Sequence, residues 1–261
     1  MGKFGEGLAV SRKLTYGFTL IEMIIVIVIL GILSVGSVRF ISQSTQGVID
    51  SAERQRVASI GIVAMEKMSR ELREALPNSI RVDGSGECIE FVPIAGGSQY
   101  TDIPILTTST TVMAVKTNYA SRLNTTYDRI AVFPASLSQV YGVADPGPIS
   151  SAINTITGMD EETITLSSNH QFLADSPQRR FFIVKDPVTF CYSGGILFRY
   201  KNYGFQSTMG ASRPTTFAGG REVFANSLTS ATFSYVSATL SRNGVVTIDM
   251  TLSEGGETQT L

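Results

Sequence analysis

The chain has 261 residues and a formal net charge of -1, enough for one sizeable core or two small ones and without a global field that would gather nucleic acid. Charged residues are 16% of the total, against roughly 25% in ordinary soluble domains. With no tryptophan and a single histidine, the composition suits turn-rich β-structure under a hydroxyl-covered surface rather than a helical cytosolic enzyme.

Residues 1–17 carry Lys3, Arg12 and Lys13 against Glu6, and end at Gly17. The stretch Phe18–Val38 is almost wholly apolar. About 20 helical residues at ~1.5 Å each cross a hydrocarbon core of ~30 Å, and the preceding basic residues predict a cytoplasmic N-terminus. A secretory signal peptide would have its small-residue cut site after the apolar run; here Gly17 precedes it. Glu22 is the anomaly, since a carboxylate in an apolar span costs about 2.5–3.5 kcal/mol and needs a partner or a task. A cut after Gly17 would create an α-amino group on Phe18, and a neighbouring subunit could offer that amine to Glu22. The alternative is an acid near the membrane edge that snorkels into the headgroups.

Gly17-Phe-Thr-Leu-Ile-Glu22 resembles the prepilin recognition motif of type IV pilins and type II secretion pseudopilins. The resemblance implies that a membrane prepilin peptidase cuts after Gly17 and methylates the Phe18 amine. It further implies that Glu22, fifth in the mature chain, is the assembly carboxylate. It covers about the first third of the chain. Many type IV pilins carry proline at mature position twenty-two; Arg39 stands there, which fits a minor subunit rather than the abundant one.

Helical periodicity continues beyond Val38. Val57, Gly61, Ala64, Met65, Met68, Leu72, Ala75 and Leu76 recur at three- and four-residue steps and predict an apolar stripe packed on a following domain. Glu66 and Arg70 form a favourable i,i+4 pair on the other face. Ser42–Asp50, with Gly47, is a weak stretch predicted to bend or fray, and Pro77 is predicted to end the helix.

After Pro77 the periodicity becomes that of strands: Cys88–Ile94, Val112–Lys116, Arg129–Phe133, Thr163–Leu166, Arg180–Val184, Val188–Tyr192, Ile196–Tyr200, Thr232–Val236 and Val245–Leu252. Tyr192-Ser-Gly-Gly-Ile196 and Asn243-Gly244 predict tight hairpins. Long irregular loops are expected at 97–110, 134–160 and 202–220. The predicted fold is therefore α+β, pilin-like. A leader spans 1–17, a transmembrane or filament-core helix 18–38 and an amphipathic helix 39–76; helix 39–76 packs on an antiparallel β-rich head, 77–261. Cys88 and Cys191 lie in apolar strands, and in an exported chain they can close one disulfide, worth about 4 kcal/mol for a loop of roughly 100 residues; the alternative is two buried thiols.

Ser69-Arg-Glu-Leu-Arg-Glu-Ala-Leu-Pro-Asn-Ser-Ile-Arg-Val82, Glu87-Cys-Ile-Glu-Phe-Val-Pro-Ile94 and the pair Val188–Cys191 with Ile196–Tyr200 resemble the MshO group of minor pilins in mannose-sensitive haemagglutinin (MSHA) pilus biogenesis. This implies a subunit acting in pilus initiation or near the tip. Its partners would be other minor and major pilins, the prepilin peptidase, an inner-membrane assembly platform and, before assembly, membrane lipid; no nucleic acid is expected. The implied location is the inner membrane as a single-pass protein with a periplasmic head, then the extracellular pilus. A type II secretion pseudopilin and a membrane-anchored, adhesin-like binding module are the alternatives.

Enzymatic chemistry has little support. His170 is the sole histidine, no Gly-x-Ser-x-Gly elbow accompanies it, and it is expected in a polar loop. Asp160-Glu161-Glu162 lacks the acid spacing of a calcium loop and is expected as a solvated turn. No catalytic residue, metal ligand or cofactor is predicted.

Overall fold

The computed structural model describes residues 17–239, 241–254 and 257–261. The predicted leader, apart from Gly17, lies outside them. The chain forms two compact units, Met1–Ala52 and Glu53–Leu261.

Helix α1 (Leu20–Arg73) is continuous. The expected weak point at Ser42–Asp50 is helical, with Gln46 Nε2 donating to Asp50 Oδ1 at 2.9 Å and Ser51 Oγ to the Gly47 carbonyl at 2.7 Å. These i,i+4 bonds hold the turn across the glycine. The helix also stops earlier than predicted: beyond Arg73, Ala75 bridges to Pro93 and Leu76 N–H donates to the Val92 carbonyl at 2.8 Å. Pairing with the next strand, rather than Pro77, ends it.

The strands that follow, among the described residues, are β1 (Arg81–Val82), β2 (Cys88–Phe91), β3 (Ile94–Asp102), β4 (Ser109–Val115) and β5 (Arg129–Ala131). A short helix α2 (Leu137–Gly142) precedes β6 (Ile149–Thr157), β7 (Glu161–His170), β8 (Arg180–Val184), β9 (Val188–Ser193) and β10 (Ile196–Tyr200). The last four are β11 (Arg221–Ala225), β12 (Leu228–Val236), β13 (Val245–Glu254) and β14 (Glu257–Thr260). Two antiparallel sheets, β1-β2-β9-β10-β11 and β12-β13-β14, enclose the stripe of α1. Val57, Ala64, Met68 and Leu72 pack against Ile89, Phe91 and Phe190 of the first sheet and Phe233, Met250 and Leu252 of the second. The three- and four-residue spacing puts these side chains on one face, and burying them is what fixes the helix.

The remaining strands close a barrel in the order β3-β4-β7-β6-β5-β8. All of it is inserted between β2 and β9, which pair directly with each other. The barrel closes where Ile94 pairs with Val184, so chain entry and exit are adjacent. Its interior is filled by its own core, including Val112, Ile130, Ile153, Ile164, Phe181 and Ile183. This corrects two expected loops. Residues 97–110 contain most of β3 and the start of β4, and 134–160 contain α2 and β6. Ser136 caps α2 by accepting the Gln139 N–H.

The glycine hairpin is as read: Gly194 (φ 59°) and Gly195 (φ 83°) link β9 to β10. Left-handed φ at both positions favours glycine there. Asn243-Gly244, by contrast, is not the tip of its hairpin. Val236 pairs with Val245 and Thr239 bridges to Arg242, so Asn243-Gly244 lies on the returning side of a longer connection.

Candidate functional site

At the start of α1, Thr19 is the cap. Its Oγ1 accepts the Glu22 N–H at 3.3 Å, and its carbonyl accepts the Met23 N–H at 3.2 Å. Thr19-x-x-Glu22 thus has capping-box spacing, with the Glu22 carboxylate in the first turn, where the helix dipole favours an anion. This local task for Glu22 was missed by reading the helix from Phe18; the threonine three residues ahead of the acid is the signal that reveals it.

Everything around Glu22 is exposed. Phe18, Leu20 and Met23 are solvent-facing, as is the apolar run beyond them to Ile41. The helix is long and apolar enough to cross a membrane, with a mean hydropathy of 2.6 over its most apolar window and 0% of that window buried. Such a surface is incompatible with water as its lasting environment. Within the apolar run the Ser34 hydroxyl donates to the Leu30 carbonyl at 2.6 Å, so this side chain is satisfied inside the helix as hydrocarbon requires.

In the other unit, Cys88 and Cys191 are directly opposed in the β2–β9 ladder and joined as a disulfide. The segment 202–220, expected as an irregular loop, is irregular but tethered. Arg81 reaches it through the carbonyls of Gln206 (2.7 Å) and Ser207 (2.8 Å) while holding buried Glu90 at 2.5 Å. Tyr203 donates to the other Glu90 oxygen at 2.7 Å, and its burial pushes the phenol far up. Arg213 lies over the disulfide, 2.9 Å from Cys88 Sγ.

His170 is a correction. It ends β7 and is buried, with Nε2 3.0 Å from the Gly147 carbonyl, Nδ1 3.5 Å from Asp145 Oδ1 and its ring edge-on to Phe172. These contacts make it a packing residue of the barrel. The Asp160–Glu162 turn is corrected in part: Glu162 is buried on β7, accepting the N–H and hydroxyl of Thr117 at 2.8 and 2.6 Å. Among the described residues no three His, Cys, Asp or Glu side chains converge to hold a metal.

The prokaryotic N-terminal methylation motif matches residues 12–38. No curated protein and no solved structure matches the chain. The motif is of the kind found in type IV pilins and pseudopilins, and it matches this chain over residues 12–38 alone. With it, the long apolar helix followed by antiparallel sheet defines a pilin-like α+β architecture, and the apolar helix and motif together suggest membrane anchoring.

Proposed function

We propose that the protein is a minor pilin of an MSHA-like type IV pilus, acting in assembly, initiation or near the tip. In this reading prepilin peptidase removes residues 1–17 after Gly17 and methylates Phe18. Residues 18–38 hold the subunit in the inner membrane with its head in the periplasm, and later in the filament core; 39–76 brace the head, 77–261. Glu22 pairs with the Phe18 amine of a neighbouring pilin, a bond buried only on assembly and therefore a device for register. The observation that carries the reading is the methylation motif at 12–38 set immediately on a wholly exposed apolar helix. Arg39 at the position where many pilins have proline, and the large head, favour a minor subunit over the repeating one.

The test is deletion of the gene, with surface pili counted by electron microscopy and secreted proteins compared. The expected result is a loss of pili that the wild-type gene restores and a Glu22→Ala gene does not, the variant still being cut. Normal piliation with a loss of secreted proteins would overturn the pilus assignment in favour of a secretion pseudopilin.

A further inference from the structure

The Cys88–Cys191 bond is buried, its cysteines 7% and 3% exposed, and one side chain of the irregular segment 202–220 lies against it. Arg213 Nη1 is 2.9 Å from Cys88 Sγ and also meets Cys191 Sγ. The segment makes room for this guanidinium. A Cβ on Gly210, at φ 82°, would stand 2.8 Å from Arg213 Nη2, so glycine alone fits there. The Tyr200 ring supports it, with Arg213 Cζ 5.5 Å from the ring centroid.

The charge is the unusual feature. Among the described residues no carboxylate pairs with Arg213. Yet it is half-buried, and charges withdrawn from water are ordinarily paired. An intact disulfide offers it only neutral, weakly accepting sulfur. A thiolate is an anion, the form that a neighbouring guanidinium favours. The arrangement therefore suits the cleaved bond better than the intact one.

We infer that the Cys88–Cys191 bond is a thiol-exchange site, opened by a small dithiol with Arg213 receiving the thiolate that leaves. The incoming thiol gives its proton to water and attacks Sγ of Cys88, the more exposed cysteine. A new S–S bond forms to Cys88 as the bond to Cys191 breaks, and the electron pair goes to Cys191 Sγ beside Arg213. A leaving thiol that ionises more readily departs faster. The second thiol of the dithiol then displaces Cys88. The protein is reduced to two thiols, taking up two protons, and the dithiol is oxidised to a disulfide. Because β2 and β9 also pair Ile89 with Phe190 and Phe91 with Val188, the ladder keeps the two sulfurs opposed for re-oxidation. The inference goes beyond the assembly role and does not depend on it.

The test follows reduction of the full chain in detergent by dithiothreitol at neutral pH, with free thiols trapped by iodoacetamide and counted by mass. Reduction of the folded wild type is expected, with circular dichroism unchanged. Arg213→Met, which keeps the bulk and removes the charge, should slow it by about tenfold or more. Arg213→Lys, which keeps the charge, should slow it less. In the reduced wild type, ultraviolet absorbance of the thiolate should show one cysteine ionising below the ordinary value of about 8.5; this reading needs no variant, should Arg213→Met fail to fold. A folded Arg213→Met reduced as fast as the wild type or faster would make Arg213 a cover and nothing more. That result, a wild-type bond that resists the dithiol until the chain unfolds, or two cysteines ionising at or above the ordinary value would overturn the proposal.

Discussion

Leu261 sits directly on Gly61 of α1, so close that a Cβ on the glycine would lie 2.2 Å from Leu261 Cδ1 and 3.1 Å from Leu252 Cδ1. Leu261 is pinned there by a reciprocal pair with Met250, N–H to carbonyl at 2.8 and 3.0 Å. The glycine is thus a seat for the three-stranded sheet on the helix. Gly61→Leu should cost about 1–3 kcal/mol through overpacking, while Gly61→Ala costs less, because helix propensity returns up to about 1 kcal/mol and the atom it meets, Leu261 Cδ1, is the tip of a side chain that can rotate aside. Leu261→Ala in the Gly61→Leu background should recover part of the loss, measured as a non-additive double-mutant cycle in urea.

The disulfide closes a separation of 103 residues around the whole barrel. Replacing both cysteines by serine, or reducing the protein, should cost about 2–5 kcal/mol. A thermal melt with and without reductant reads it; an unchanged midpoint would mean that the β2–β9 ladder holds the barrel's ends without the bond.

Arg81 and Glu90 form a pair whose side chains are 13% and 0% exposed. Removing one partner of a buried pair leaves the other charge stranded, at about 3–5 kcal/mol. Arg81→Met should show this loss and also free the segment 202–220, because the bonds to Gln206 and Ser207 go with it. Limited proteolysis should then cut first within that segment.

Two carboxylates should move stability with pH in opposite senses. Lys201, bonded at 2.5 Å, and then Arg199 hold the Glu222 carboxyl below its ordinary 4.5. Its contribution is present above the unfolded value and lost as pH falls through the folded one. Burial raises the Asp186 carboxyl above its ordinary 3.8, outweighing the Gly204 N–H and Arg129. Its charge therefore opposes folding, and that cost grows as pH rises from the unfolded value through the folded one. Urea midpoints should show Glu222→Gln losing stability near pH 7, a loss that shrinks as pH falls below 4.5, and Asp186→Asn gaining stability only above 3.8.

Much of this architecture was legible in the sequence. The stripe Val57–Leu72 was, because burial at helical spacing leaves a direct trace in residue type. So were the bounds of β8 and β10, two apolar, aromatic-rich runs, and the Gly194-Gly195 hairpin, where both residues need positive φ. The barrel was not. Strand β3 begins Ile94-Ala-Gly-Gly and reads as a turn, yet Gly97 is there for close approach: a Cβ would meet the Phe181 carbonyl at 2.9 Å. Strand β6 loses its alternation where the register shifts between Ile153 and Thr155. Closure itself depends on Ile94 meeting Val184, a pairing at a sequence separation of 90 that no local pattern announces. At the N-terminus the motif around Gly17, Phe18 and Glu22 was readable because a glycine ahead of an apolar run and a lone carboxylate inside it stand out by residue type alone. Arg213 was not, since only the fold brings it to Cys88 and Cys191.

The central claim is entry into the prepilin pathway, and the most direct test is intact mass of the protein from membranes with and without prepilin peptidase. The account predicts a peptidase-dependent species beginning at Phe18 and heavier by one methyl group. An uncut chain, or a cut beyond Val38, would contradict it.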